Sequence, residues 1–222
     1  MAKVFIVANL KSYKNENEAK NWLESFKKIK ELNLDMTQKE VIICPSFTQL
    51  FSFSSYFSSN NIKVKLGAQN VSPFDEGAFT GEVNAKQIKD FAQYVLIGHS
   101  ERRVNFGETE DMITKKIEIS LKYGLNPILL IQGQENIISQ QVGLVAYEPV
   151  SAIGSGNPDT PENADTMGAL IKSKADGLQV LYGGSVTSAN VKSFTTKANI
   201  DGVLVGGASL DAEEFIKIIQ NA

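Results

Sequence analysis

Eight short, almost uninterrupted apolar runs punctuate this chain, and they narrow its architecture more than any other feature. They occupy residues 4–9, 41–45, 64–68, 94–99, 127–131, 143–148, 179–183 and 202–206. A strand with one wet face alternates apolar and polar residues, whereas a strand buried on both faces reads as a continuous apolar run. Longer amphipathic stretches separate most of the runs. Between residues 18 and 32, Ala19, Trp22, Leu23, Phe26 and Ile29 recur at spacings of three and four, one apolar stripe of a helix. Residues 112–121 and 165–171 behave similarly, and 211–219 closes the chain with Phe215, Ile216 and Ile219. Eight such strands with helical connections predict an α/β fold whose parallel sheet closes into a (β/α)8 barrel. An open doubly wound sheet is the second architecture compatible with the same alternation.

The length of 222 residues suits one barrel domain spanning 1–222, and no linker, repeat or low-complexity tract divides it. One connection is short. Only residues 132–142 separate the fifth and sixth runs, close to the minimum of about 10–12 residues for a crossover. The helix between strands 5 and 6 is therefore expected to be shortened or missing.

Composition removes several function classes. A single cysteine, Cys44, precludes an internal disulfide or a cysteine-based zinc cluster, and a single histidine, His99, precludes an all-histidine metal site. The net charge of −3 gives no reason to expect nucleic acid. The first apolar run is too short for a signal-peptide core or a membrane span. A soluble, cytoplasmic protein with no membrane partner is expected. Only two arginines, Arg102 and Arg103, accompany the 20 lysines, and they follow His99 by three and four residues.

In a barrel the reactive groups belong at the C-terminal ends of the strands. Those ends carry Asn9 and Lys11, then His99, then Glu148, then Gly183-Gly184-Ser185, then Gly206-Gly207. Each alone has a plain structural reading: a surface lysine, a core histidine, a solvated loop glutamate, tight turns. Together they make a base, a proton carrier, a cation and two backbone cradles for an anion. Residues 100–103 read as the first turn of a short helix, whose positive end favours a neutral imidazole at His99. This set suits proton abstraction beside a carbonyl on a small phosphorylated sugar.

The same residues carry a family resemblance. Asn9-Leu10-Lys11, Gly98-His99-Ser100-Glu101-Arg102-Arg103, Ala146-Tyr147-Glu148-Pro149-Val150, Ala152-Ile153-Gly154-Ser155-Gly156, Leu181-Tyr182-Gly183-Gly184-Ser185-Val186 and Val205-Gly206-Gly207-Ala208-Ser209-Leu210 resemble, in order, the signature blocks of the triosephosphate isomerase family. Gly67-Ala68-Gln69-Asn70 and Gly77-Ala78-Phe79-Thr80-Gly81-Glu82 fit that family's third loop. The resemblance implies a TIM barrel and interconversion of dihydroxyacetone phosphate and D-glyceraldehyde 3-phosphate through an enediolate. It implies Glu148 as the base, His99 as the group that polarises the carbonyl and moves protons between oxygens, and Lys11, with Asn9, as positive charge facing the substrate. Glu101 would support Lys11. Phosphate would rest on Gly154, Ser185 and Gly207, with Gly206 shaping the turn, and residues 149–159 would form a lid received by Tyr182 and Ser185. No metal or organic cofactor is implied. A homodimer is, with Thr80 brought beside the partner's Asn9 and Lys11.

The departures from the family pattern cluster at the lid. Ser151 stands where the family has tryptophan, and Asn157-Pro158-Asp159 replaces a lysine-led hinge. Gln132-Gly133-Gln134 replaces a Gly-Glu pair whose glutamate faces that tryptophan in the family, so both partners are lost together. Two rival readings share some of these features: another phosphosugar barrel enzyme, and a non-catalytic protein that kept the fold. The first does not predict the Asn-Lys, His and Glu-Pro blocks together. The second would be favoured by loss of Lys11, His99 or Glu148, and all three are present.

Overall fold

All eight apolar runs form strands, and each pairs in parallel with the next in chain order until β8 returns to β1. The computed structural model describes residues 3–32, 36–133, 136–149 and 157–222. The strands are β1 (Val4–Asn9), β2 (Lys39–Cys44), β3 (Lys65–Ala68), β4 (Tyr94–Ile97), β5 (Asn126–Ile131), β6 (Leu144–Tyr147), β7 (Gln179–Tyr182) and β8 (Gly202–Val205). Closure, rather than an open doubly wound sheet, leaves the barrel without an unpaired edge. Alternate side chains point inward, and Phe5, Val7, Ile42, Leu96, Ile128 and Leu181 belong to the cluster that fills the interior.

The helices are α1 (Glu16–Phe26), α2 (Phe47–Ser59), α3 (Ala85–Ile88), α4 (Ser100–Phe106), α5 (Glu110–Lys122), α6 (Pro161–Lys172), α7 (Val191–Thr195) and α8 (Ala212–Asn221). Their starts follow from capping chemistry. Asn15 and Glu18 form a reciprocal capping box on α1, and Thr160 caps α6 with Pro161 in its first turn. The expected helix over 18–32 is divided: α1 stops at Phe26 and a 3₁₀ turn, Lys27–Glu31, carries Ile29 into the core. Trp22 joins three helices. Its ring stacks on Phe26 at 4.8 Å and lies near Phe53 and Phe215, while its indole N–H donates to the Ser209 carbonyl at 3.0 Å.

Between β5 and β6 no helix occurs among the described residues. The outward-facing Leu129, Ile131 and Val145 are nevertheless buried, in one cluster with Val142, Ile113, Ile117 and Ile171. Asn136 closes the end of β5 by accepting hydrogen bonds from the N–H groups of Gln132 and Gly133, at 3.0 and 3.2 Å. Because β5 and β6 still pair over four residues, Ile128 to Leu144 through Ile131 to Tyr147, the barrel closes without a full crossover there.

Candidate active site

The reactive groups sit one or two residues beyond the strand ends. Inside a parallel ladder a residue's backbone groups are committed to pairing; past it they can turn toward a ligand. After β1, Lys11 adopts a left-handed backbone with φ of 51°, a conformation that costs a side-chain-bearing residue about 1–2 kcal/mol. Two contacts hold it there. Asn9 Oδ1 accepts from the Lys11 N–H at 3.1 Å, and Gln69 Nε2 donates to the carbonyls of Lys11 and Cys44 at 2.9 and 2.8 Å. The lysine ammonium then pairs with the Glu101 carboxylate on α4. Gln69 stood in the sequence only as part of the third-loop block, with no role of its own; holding the Lys11 turn is a role the structure adds.

His99 caps α4. Its Nδ1 accepts from the Glu101 N–H at 3.1 Å, so the proton of the neutral ring belongs on Nε2. Burial disfavours the imidazolium and pushes its pKa down, the Glu101 carboxylate opposes this and the Lys11 ammonium adds to it. Desolvation thus acts on His99 in the direction expected of the helix end.

Glu148 Oε1 lies 3.4 Å from His99 Nε2. Both residues are buried, 4% and 5% exposed, and burial raises the Glu148 carboxyl well above the usual carboxylate range despite the opposing Lys11 charge and Ser100. A buried carboxylate of this kind is a stronger base than a solvated one once ionised. Its second oxygen, Oε2, has no hydrogen-bond partner among the described residues. Gly183 fits beneath it, since a Cβ there would come within 2.9 Å of Glu148 Cγ.

Asn9, Lys11, His99, Glu148, Ser185, Gly206 and Gly207 all line one cavity of about 270 Å³, joined by Val186 from the seventh-strand block and by Thr187, which no sequence motif singled out. Ser185 also has a left-handed backbone, with φ of 51°, and Gly207 opens the 3₁₀ turn Gly207–Leu210. Turns of this form suit an oxyanion rather than an apolar ligand. Glu101 reaches the cavity through Lys11. Tyr182 lies below it, stacked on Phe194 at 4.1 Å, and its hydroxyl accepts from the Asp159 N–H at 2.7 Å. Thr80 is exposed and does not line the cavity of its own chain. Gly154, Ser151 and the 150–156 stretch of the expected lid lie outside the described residues. Among the described residues, no group of three His, Cys, Asp or Glu side chains is placed to hold a metal ion.

Comparison with known proteins points to one family. The family model described as triosephosphate isomerase matches residues 4–141 and 130–222. The two matches overlap at 130–141, where β5 passes into the short connection. The triosephosphate isomerase of Dictyoglomus turgidum is 38% identical over 254 aligned positions, covering all of both chains. Those of Trichodesmium erythraeum and Aquifex aeolicus are each 37% identical, covering 99% and 96% of this chain. An alignment of 254 positions against 222 residues leaves 32 positions empty in this chain.

Proposed function

The chain belongs to the triosephosphate isomerase family, and from that premise we propose that its barrel mouth interconverts dihydroxyacetone phosphate and D-glyceraldehyde 3-phosphate. The Glu148 carboxylate removes a proton from the carbon beside the carbonyl. The His99 Nε2–H donates to the carbonyl oxygen, producing an enediol(ate), and moves a proton between its two oxygens. Glu148 returns the proton to the neighbouring carbon. The bond changes balance without a cofactor, because the reaction only relocates two hydrogens.

Lys11, with Asn9, offsets the negative charge of the phosphate and of the developing enediolate. Phosphate rests on the turns at Ser185, Gly206 and Gly207, joined by Gly154 of the lid. The observation that carries this reading is the pairing of a buried carboxylate with a histidine whose Nδ1 is already an acceptor, 3.4 Å apart in the cavity that Lys11 and the two anion turns share. A coupled assay for glyceraldehyde 3-phosphate formation tests it: wild-type protein turns over and Glu148→Gln does not. Turnover by Glu148→Gln near the wild-type rate would remove Glu148 from the role of base.

The reading extends to a single-domain homodimer acting in the cytoplasm, with Thr80 supplied to the partner's site. Supporting the dimer is the ordered excursion at residues 70–82, with Phe74 and Phe79 stacked at 4.4 Å. Among the described residues no helix is long and apolar enough to cross a membrane.

A further inference from the structure

We propose that Arg103 is a positioning residue for His99, and that the shortened β5–β6 connection braces it through Glu110 and Asn136. The proposal rests on the isomerase reading for its kinetic consequence, but its structural content stands on geometry. Gly98 leaves β4 with φ of 78°, a left-handed turn that swings its carbonyl off the ladder. Arg103 Nε donates to that carbonyl at 2.8 Å. The orientation of the Gly98–His99 peptide sets the backbone φ of His99, and so the direction in which its ring leaves the chain. Arg103 also grips the other side of the residue, its backbone N–H donating to the His99 carbonyl at 3.1 Å. One side chain and one helical turn thus fix both peptides flanking His99. The turn is also closed to a side chain: a Cβ on Gly98 would lie 3.0 Å from Arg103 Nη2 and 3.2 Å from the Leu130 carbonyl oxygen, on a left-handed backbone that disfavours one.

The guanidinium is held from outside. Its Nη1 lies 2.5 Å from Glu110 Oε1, at the start of α5. The same oxygen is 3.5 Å from Asn136 Nδ2, and Asn136 is the residue whose Oδ1 closes the end of β5. The Asn136 carbonyl in turn accepts from Lys174, past the end of α6, at 3.4 Å. In the one place where the barrel lacks a helix among the described residues, a polar chain runs from the connection to the residue before His99. The rigid planar fork donates to Gly98 from Nε and to Glu110 from Nη1 in one fixed geometry, which the compact, rotatable ammonium of lysine does not impose.

The test exploits the single histidine, whose ¹⁵N imidazole resonances need no assignment. In wild-type protein they should show an acceptor Nδ1 and a protonated Nε2. Arg103→Lys should move both toward the averaged pattern of an unrestrained ring, with kcat lowered about tenfold and KM changed less than about twofold. Glu110→Gln, a substitution on a half-exposed side chain that keeps the fold if Arg103→Lys does not, should shift the same resonances in the same direction by less. Wild-type His99 shifts in either folded variant would overturn the proposal, whatever the activity. If the wild-type protein lacked isomerase activity, the proposed function would fail while the resonances still decided the role of Arg103.

Discussion

At the scale of single residues the site is a compromise between chemistry and stability. Burying Glu148 raises its basicity, and the same burial opposes its ionisation in the folded protein. Between the ordinary carboxylate pKa and its raised folded value, the folded state keeps a proton that the unfolded chain releases, so stability falls as pH rises through that interval. Glu148→Gln removes the titration. The variant should be inactive yet gain in melting temperature relative to wild type as pH goes from 5 to 8, measured by thermal unfolding at each pH; a constant difference across that range would refute the linkage. His99 has the opposite sign, its depressed pKa costing stability as pH drops below about 6.5. Glu148→Asp keeps the charge but retracts it by roughly 1 Å, and should lower kcat on the order of 10²-fold. Gly183→Ala reaches the same carboxylate from below. Its Cβ would meet Glu148 Cγ at 2.9 Å, so kcat should drop at least about tenfold with KM for the phosphorylated substrate nearly unchanged. Steady-state kinetics showing a KM effect alone would mean that Glu148 yields without losing its alignment.

At the scale of elements, residues 157–160, the proposed second hinge of the lid, are tied to the barrel by side-chain contacts. Asp159 donates its N–H to Tyr182, its carboxylate accepts from the Thr160 N–H at 2.7 Å, and Thr160 then caps α6. Pro158 fixes φ just before this chain of contacts and Pro161 just after it. Tyr182→Phe removes the acceptor for a backbone N–H, and such a loss costs about 1–3 kcal/mol when the donor stays buried. The expected outcome is a higher ratio of phosphate elimination to isomerisation, measured on the same substrate, because a loosened hinge admits water to the enediolate; an unchanged ratio would show that the hinge does not control closure. What sequence could and could not reveal is visible at this scale. Doubly buried strands advertised themselves as apolar runs, and the β5–β6 connection, without a helix among the described residues, as an 11-residue gap. Helix α2 was not singled out, because its Phe- and Ser-rich composition carries no charge contrast, though Leu50, Phe53 and Phe57 make a buried stripe. Helices α3 and α7, at four and five residues, are too short to show a period. Strand ends were placed one or two residues late at His99, Glu148 and Gly206, because departure from the ladder depends on backbone turns such as Gly98, which hydropathy does not encode. Which polar residues lock those turns, Gln69 and Arg103 above all, depends on contacts across the barrel.

At the scale of the whole molecule, the excursion at 70–82 asks for a partner. Its base is closed by the Ser72 N–H donating to the Val83 carbonyl at 2.9 Å, and its tip is tied to α5 through Asp75, which accepts from Tyr123 Oη at 2.6 Å and pairs with Lys122. These donors hold the Asp75 carboxyl down at about 2. Glu76 is bound to Lys86 at 2.6 Å. The loop therefore keeps its shape without a second chain, while Phe74 and Phe79 remain 46% and 41% exposed at its tip. Tyr13 after β1, and Val104 and Phe106 on α4, are exposed at 66%, 82% and 68%. A rigid loop that presents stacked aromatic rings loses little conformational entropy on association, so apolar burial against another surface is not spent on ordering it. In the proposed homodimer a second copy of the chain is that surface, and Thr80, outside the cavity of its own chain, is assigned to the partner's site. Sedimentation velocity should give a dimer at micromolar concentration. Deleting residues 73–78 should give a folded monomer whose kcat falls by on the order of 10²-fold, because Lys11 and Asn9 lose a neighbour that fixes their geometry. Phe74→Asp, which leaves the loop's polar anchors in place, should weaken the dimer and restore near-normal turnover at high protein concentration, where association is driven by mass action. A wild-type protein that sediments as a fully active monomer would remove the dimer from the account and leave the excursion's exposed rings without a function.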